Sequence, residues 1–273
     1  MFRNCRTVLG LMLLAGALAA DAAPESVALV TELSGPAALV RKTDSALELL
    51  DELRVGTIVS LGNGARAVVV HTASGVVYDL SGPGRFRVQG KGIEALNGAR
   101  LARRELPPQI KSFQLKPLSA MQANIIMRGG TPVRLDGPNG GVLGTDELDY
   151  RIRGNVVAPR VEVTAADGTT IIAAQRTSAI FNPASAAPIE PGTRYLMLIN
   201  GTDSRGKPVE LSSGFWLIDS DSAARLKAAK PVSDPTTTDL VIYALALQSA
   251  GATATAEATW RAVNERRATH SLR

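Results

Sequence analysis

Between Val27 and Arg104 the chain is a series of short β-prone runs, each cut off by a turn signal. The runs VALVTEL, AALVRK, TIVSL, RAVVVHT, GVVYDL, RFRVQ and GIEAL have five to seven residues each, the usual length of a strand. Glycine, proline, asparagine and serine separate them, at Ser34 to Pro36, Gly62 to Gly64, Ala73 to Gly75, Ser81 to Gly84 and Gly90 to Gly92. Breaks recurring about every ten residues imply an all-β domain built of hairpins. The piece SALELLDELR, Ser45 to Arg54, has helix-forming content, but RVGTIV follows at once. Strand and turn are expected there.

Within this region Gly62, Asn63, Gly64, Ala65, Arg66 and Ala67 fit the G-x-G-x-x-A form of a dinucleotide-binding loop. Such a loop works only where a helix starts, because the helix N-terminus holds the pyrophosphate. Here three valines follow Ala67, and a strand is expected instead. The motif is read as a turn. The glycines from Gly137 to Gly141 lack the Lys-Ser/Thr of a phosphate-binding loop. No cofactor is expected.

The rest divides by composition. Residues 105–130 contain adjacent prolines, Pro107 and Pro108, and read as an extended linker in which helix is excluded at the proline pair. From 131 to 222 strands return: Arg160 to Ala165, Thr170 to Gln175, Tyr195 to Asn200 and Gly214 to Asp219, with a hairpin signal at Ala166, Asp167 and Gly168. A β-sandwich is expected. After a polar spacer from Pro231 to Pro235, residues 234–268 read as two helices broken at Gly251. Leu240, Tyr243, Ala244 and Leu247 recur at helical spacing on the first, and Ala256, Trp260 and Val263 on the second. Thr236 to Thr238 offer caps, and Arg266 and Arg267 suit the negative end of the second helix.

The N-terminus has the layout of a secretory leader. MFRNCR is followed by the apolar TVLGLMLLAGALAA and then by small residues in A-x-A spacing ending at Ala19 and at Ala22. Residues 1–22 are therefore expected to be removed, with Cys5, the only cysteine. The mature chain would hold no thiol and no transmembrane span, and would reside in a bacterial periplasm. The net charge of +5 is too mild for a nucleic-acid binder, but suits contact with an envelope protein or an anionic envelope polymer.

Few side chains offer chemistry. His71 and His270 are the only histidines, too few for a zinc or haem site, and no G-x-S-x-G sequence is present. His71 is expected at a strand end, hydrogen-bonded. Asp146, Glu147 and Asp149, and separately Asp219 and Asp221, are the acids a hydrolase would draw on; turns and caps are their commoner employment. No catalytic or metal residue is expected. Arg100, Arg103 and Arg104, followed by Lys111 and Lys116, form either a solvated strand edge or a binding surface. Phe215 and Trp216 are neighbours in one strand and must face opposite sides. One of them leaves the core, either to pack on the C-terminal helices or to meet a partner. Arg100, Arg103, Arg104 and Trp216 are the candidate partner-binding residues.

VTELSGPAALVRK together with LRVGTIVSLGNGARAVVVHTASGVVYDLSGPGRFRV resembles the FecR-type domain of bacterial periplasmic proteins, over about residues 27–103. Val55 to Thr57, Gly62 to Ala67 and Leu80 to Val88 stand at its characteristic places, with Thr57 where the family usually has an acid. The 131–222 region is similar to Ig-like or fibronectin-type modules, through Leu135 to Tyr150, Pro191 to Tyr195 and Phe215. The C-terminal pair resembles one tetratricopeptide unit at Ala244, Gly251, Ala256 and Trp260. A single such unit cannot bury its own face, so it must dock on the sandwich or on a partner. These resemblances imply a mainly β fold: a small FecR-like β-domain over 27–104, an Ig-like β-sandwich and a C-terminal α-hairpin. They imply a non-enzymatic binding or scaffold protein of the cell envelope, or a periplasmic sensing component.

Overall fold

The structure, a computed structural model, describes residues 26–40, 45–116, 118, 133–175 and 178–270. The expected leader, Cys5 and the part of the connector from 119 to 130 lie outside these residues. The protein is mainly β, with several antiparallel sheets and helices gathered towards its C-terminal end.

The first sandwich has two five-stranded antiparallel sheets. One runs in the order β10 (Arg100–Glu105), β7 (Val76–Ser81), β6 (Arg66–His71), β1 (Ser26–Ser34) and β4 (Glu52–Arg54). The other runs β3 (Ser45–Ala46), β2 (Ala37–Val40), β5 (Ile58–Leu61), β8 (Gly84–Gln89) and β9 (Gly92–Leu96). All seven runs read from the sequence are strands, and Ser45 to Arg54 is strand and turn. The turn from β5 to β6 is the Gly62–Gly64 segment, where Gly64 has φ +69°; no helix starts there.

The two sheets differ in what covers them. On β8, Phe86 and Val88 point inward while Arg85 and Arg87 face water, the alternation of a sheet buried on one side. On β6 every residue from Ala67 to His71 is buried. Ala67 and Val69 join the core between the sheets. Val68 and Val70, with Leu29 and Val77, point the other way, into a second core made largely by helices.

Those helices are α1 (Pro108–Lys111), α2 (Ser220–Ala228), α3 (Thr237–Ser249) and α4 (Thr253–His270). In α3 every residue from Val241 to Leu247 is buried, not only Tyr243, Ala244 and Leu247 of the expected stripe, whose Leu240 is half-buried. A helix apolar all round belongs in an interior; α3 lies on β1 and β6 and touches α1, α2 and α4. The hairpin therefore docks on both sandwiches, α3 on the first and α4 on the second.

The second sandwich packs β12 (Gly140–Val142), β18 (Pro208–Leu217), β17 (Arg194–Asp203), β14 (Val156–Ala165) and β15 (Thr170–Gln175) in one sheet. The other sheet has β11 (Arg134–Asp136), β13 (Tyr150–Arg153) and β16 (Ile180–Phe181). Their shared core holds Tyr150, Met197, Ile199 and Phe215. β12 pairs parallel with β18 and passes so close to the α3–α4 turn that a Cβ on Gly141 would lie 2.0 Å from the Gly251 carbonyl oxygen.

Two helices depart from the sequence reading. The proline pair does not exclude helix: α1 begins at Pro108, with Pro107 extended before it at φ −52° and ψ 139°. Proline is well placed at the first helical position, where its missing N–H would be unpaired anyway. The segment is also no bare spacer, since Leu106, Ile110, Phe113 and Leu115 are buried in the helical core. The other unforeseen helix is α2. Asp219 caps it, its Oδ1 accepting from the Ser222 N–H at 2.8 Å.

If α3 is the shared wall of these layers, Leu245→Ala should cost about 2–5 kcal/mol of stability, read as a fall in urea midpoint. Leu196→Ala, at a 47% exposed position, should change it by no more than about 0.5 kcal/mol.

Candidate binding surface

The helical cover stops short of the whole sheet face. Past the N-terminus of α3 the outer face of the first sheet turns polar, with Glu32 on β1, Arg66 on β6 and Asp79 on β7. Arg66 holds Asp79 with two parallel hydrogen bonds, Nε to Oδ1 at 2.9 Å and Nη2 to Oδ2 at 2.6 Å, and lies 3.4 Å from Glu32. Glu32 accepts from the Thr238 hydroxyl at 2.8 Å, and the Thr31 and Thr238 hydroxyl oxygens stand 2.9 Å apart. Thr236 and Asp239 close a reciprocal cap on α3, as the threonine run foretells. These contacts fasten α3 to β1.

Above this polar patch lies an open cleft of about 720 Å³, walled by Glu32, Glu48, Arg66, Asp234, Arg266 and Arg267. A smaller hollow of about 220 Å³ continues from Glu32 and Arg66 to Val68, Val77, Ala102, Arg103 and Arg104. The larger volume falls in the range of ligand sites. Its charges are mixed: Arg267 is 3.5 Å from Glu48 and Arg266 is 3.8 Å from Asp234.

At the far end of the hollow is β10, an outermost strand. Arg100, Arg103 and Arg104 are all exposed on it. Arg104 reaches Asp239 at 3.4 Å, while Glu105 pairs with Lys111 at 2.8 Å; that ammonium group holds the Glu105 carboxyl below its usual range. Lys116 is exposed beyond. The three arginines thus share one sheet edge, as the sequence anticipates for a strand-edge cluster. Glu32, Arg66 and Asp79 were not singled out by sequence. Their signal was a charge set in each of three otherwise apolar runs; that they meet on one face depends on strand pairing.

Trp216 stands apart from this edge. Phe215 is fully buried in the second sandwich and Trp216 faces the other way, half-buried against the helical core. The Arg194 guanidinium lies over its ring, 5.0 Å from the centroid. Packing on the C-terminal helices is what occupies this side chain.

The remaining candidates for chemistry serve the fold. His71 is 0% exposed. Its Nδ1 accepts from the Ser74 backbone N–H at 3.2 Å, which leaves the ring proton on Nε2, donated to the Gln89 carbonyl at 2.9 Å. Burial lowers its pKa from the ordinary 6.5, with the Gln89 bond opposing. Asp146 and Asp149 are exposed around one helical turn, and Glu147 accepts a short hydrogen bond from Thr255. Asp219 caps α2 and Asp221 lies in its exposed first turn. The side chain of His270 lies outside the described residues. Among the described residues no three His, Cys, Asp or Glu gather as for a metal, and no helix is long and apolar enough to cross a membrane. No family model matches the chain, and no curated protein matches it.

His71 gives the fold an acid-sensitive point. The fold favours the neutral ring, so its contribution is complete above pH 6.5 and is lost as the pH falls from there through the lower folded value. Stability measured by urea titration should decline over that interval, and His71→Gln should flatten this component of the profile.

Proposed function

We propose that this is an exported, non-enzymatic binding protein of a bacterial envelope, holding a partner through the arginine-bearing edge of its first sandwich. The observation that carries the reading is β10, an outermost strand with Arg100, Arg103 and Arg104 all exposed. Cations clustered on one edge attract an anionic partner and raise its encounter rate. The same residues in a solvated strand would serve solubility alone; the hollow reaching from β10 under α3 adds a recessed surface beside them. The leader-like N-terminus and the FecR-type resemblance of residues 27–103 support an envelope setting. Support for binding without catalysis comes from His71, whose two ring nitrogens are both engaged in structural hydrogen bonds.

Trp216 has no part in this reading. Arg104 is engaged by Asp239 in the free protein, so the capture experiment changes Arg100 and Arg103.

The test is affinity capture from an envelope fraction with the wild-type chain and with Arg100→Glu/Arg103→Glu. Both positions are exposed, so the far-ultraviolet circular dichroism of the variant should match wild type. The specifically retained component should fall at least tenfold with the variant. Equal retention by both proteins would remove β10 from the function.

A further inference from the structure

Resting on that reading, we infer that β10 takes its partner by strand addition, and that the partner is an extended acidic segment of another protein. The argument begins with where the backbone groups of β10 point. β10 pairs with β7 along its whole length, from Arg100 opposite Ser81 to Glu105 opposite Val76, with no shift of register. The next residue, Leu106, donates its N–H to the Gly75 carbonyl at 3.2 Å and continues that register. In an antiparallel pair such bonding alternates from residue to residue. Arg100, Ala102 and Arg104 therefore turn their N–H and C=O groups to β7. Leu101, Arg103 and Glu105 turn theirs outward, where the described residues supply no backbone partner.

An outward edge of this kind is a template for another strand, which proteins commonly blunt by charged side chains, bulges, proline or short length. β10 has only the first of these, its arginines, and charge turns away only strands of like sign. Most other edge strands of the two sandwiches are shorter or covered. β3, β4, β11 and β16 have two or three residues, and β12 is met by α4, the Thr253 hydroxyl oxygen accepting from the Gly141 N–H. β15 is as long as β10 but carries no charge, and β9 has five residues with a single acid, Glu94, bonded by Gln89. β10 alone among these joins an open template to a cluster of cations.

The arginines also select the occupant. Two copies of β10 paired antiparallel about their centres would set Arg103 opposite Arg103, or Arg100 opposite Arg104. Like charges directly opposed destabilise a sheet, so the edge rejects its own copy and accepts an acidic strand. Arg100, Ala102 and Arg104 share the outer face, by the alternation of a strand. Acids four residues apart on the incoming segment would lie beside the two arginines. The residue midway between them would lie beside Ala102, at the mouth of the hollow lined by Val68 and Val77. A small apolar side chain fits there. The recognised pattern is thus acidic, any, small apolar, any, acidic, in an extended conformation. Arg104 would exchange its Asp239 contact, in which its side chain is 53% exposed; exposed pairs are worth only about 0–1 kcal/mol.

The experiment uses residues 23–273 and three probes. The first is a peptide containing Asp-Thr-Val-Thr-Asp with neutral flanks. The second is the same peptide N-methylated at alternate backbone positions, which keeps charge and removes donors. The third is polyglutamate. The peptide should bind, slow amide exchange at Leu101, Arg103 and Glu105 at least tenfold, and lose at least tenfold in affinity with Arg100→Glu/Arg104→Glu, the two positions that face its acids. The N-methylated peptide should lose most of the binding. If it binds as well as its parent, or if polyglutamate binds in an arginine-dependent way while the peptide leaves those three amides unprotected, strand addition is overturned and charge-based binding at β10 stands. If neither the peptide nor polyglutamate binds and envelope capture ignores the arginine variant, both readings fall together.

Discussion

The fold depends on one sheet that needs cover on both sides. In β6 the apolar residues do not alternate with polar ones: Ala67 and Val69 point to one face, Val68 and Val70 to the other. Burying one such side chain contributes about 1.5–3 kcal/mol. Four of them on the outer face, Leu29, Val68, Val70 and Val77, are comparable with the whole net stability of a domain, about 5–15 kcal/mol. Covered by the second sheet alone, the first sandwich would leave that face in water. The C-terminal helices supply the missing layer, and α3 is apolar all round because it lies within that layer rather than upon it.

The candidate surface is a by-product of how far that layer extends. α3 begins at Thr237, and beyond its cap the sheet face changes from valine to Glu32, Arg66 and Asp79. The capping residues and Glu32 satisfy the first turn of the helix and fix its position on β1. What remains uncovered is a hollow leading to an edge strand. Desolvation is slight along this margin, so its ion pairs are weak and can change partners. A rigid floor beside re-partnerable charges is a suitable arrangement for recognition, since little ordering is lost when a ligand docks.

Much of this was legible in the sequence where the signal was local. Gly62 to Gly64 and Ala166 to Gly168 are turns, Gly251 separates two helices, and the β-prone runs are strands, because glycine placement and side-chain type act within a few residues. Adjacent Phe215 and Trp216 had to face opposite ways for the same reason. The unread parts have physical explanations. Pro107 and Pro108 resemble helix breakers until one asks which position proline occupies; at the start of α1 it is favourable. Asp219 is a cap, the commoner use expected for it, but the helix it starts, α2, carries too weak an apolar stripe to be read from sequence. The arginine cluster of the site was visible as a charge run. Its place on an open edge, and the company of Glu32, Arg66 and Asp79, follow from pairing between strands far apart in the chain, which no local pattern encodes.

The tie between Thr31 and Thr238 spans 207 positions along the chain. The opening strand of the first sandwich thus finds its outer neighbour only from Thr237 onward. Synthesis and any passage through a membrane deliver the sandwich first and its roof last. Until that roof arrives, a valine-rich wall waits in solution, and contacts of such long sequence separation form slowly. For this chain the dangerous interval lies between the emergence of β7 and the arrival of α3, and a holding factor that shields apolar strands would act within it.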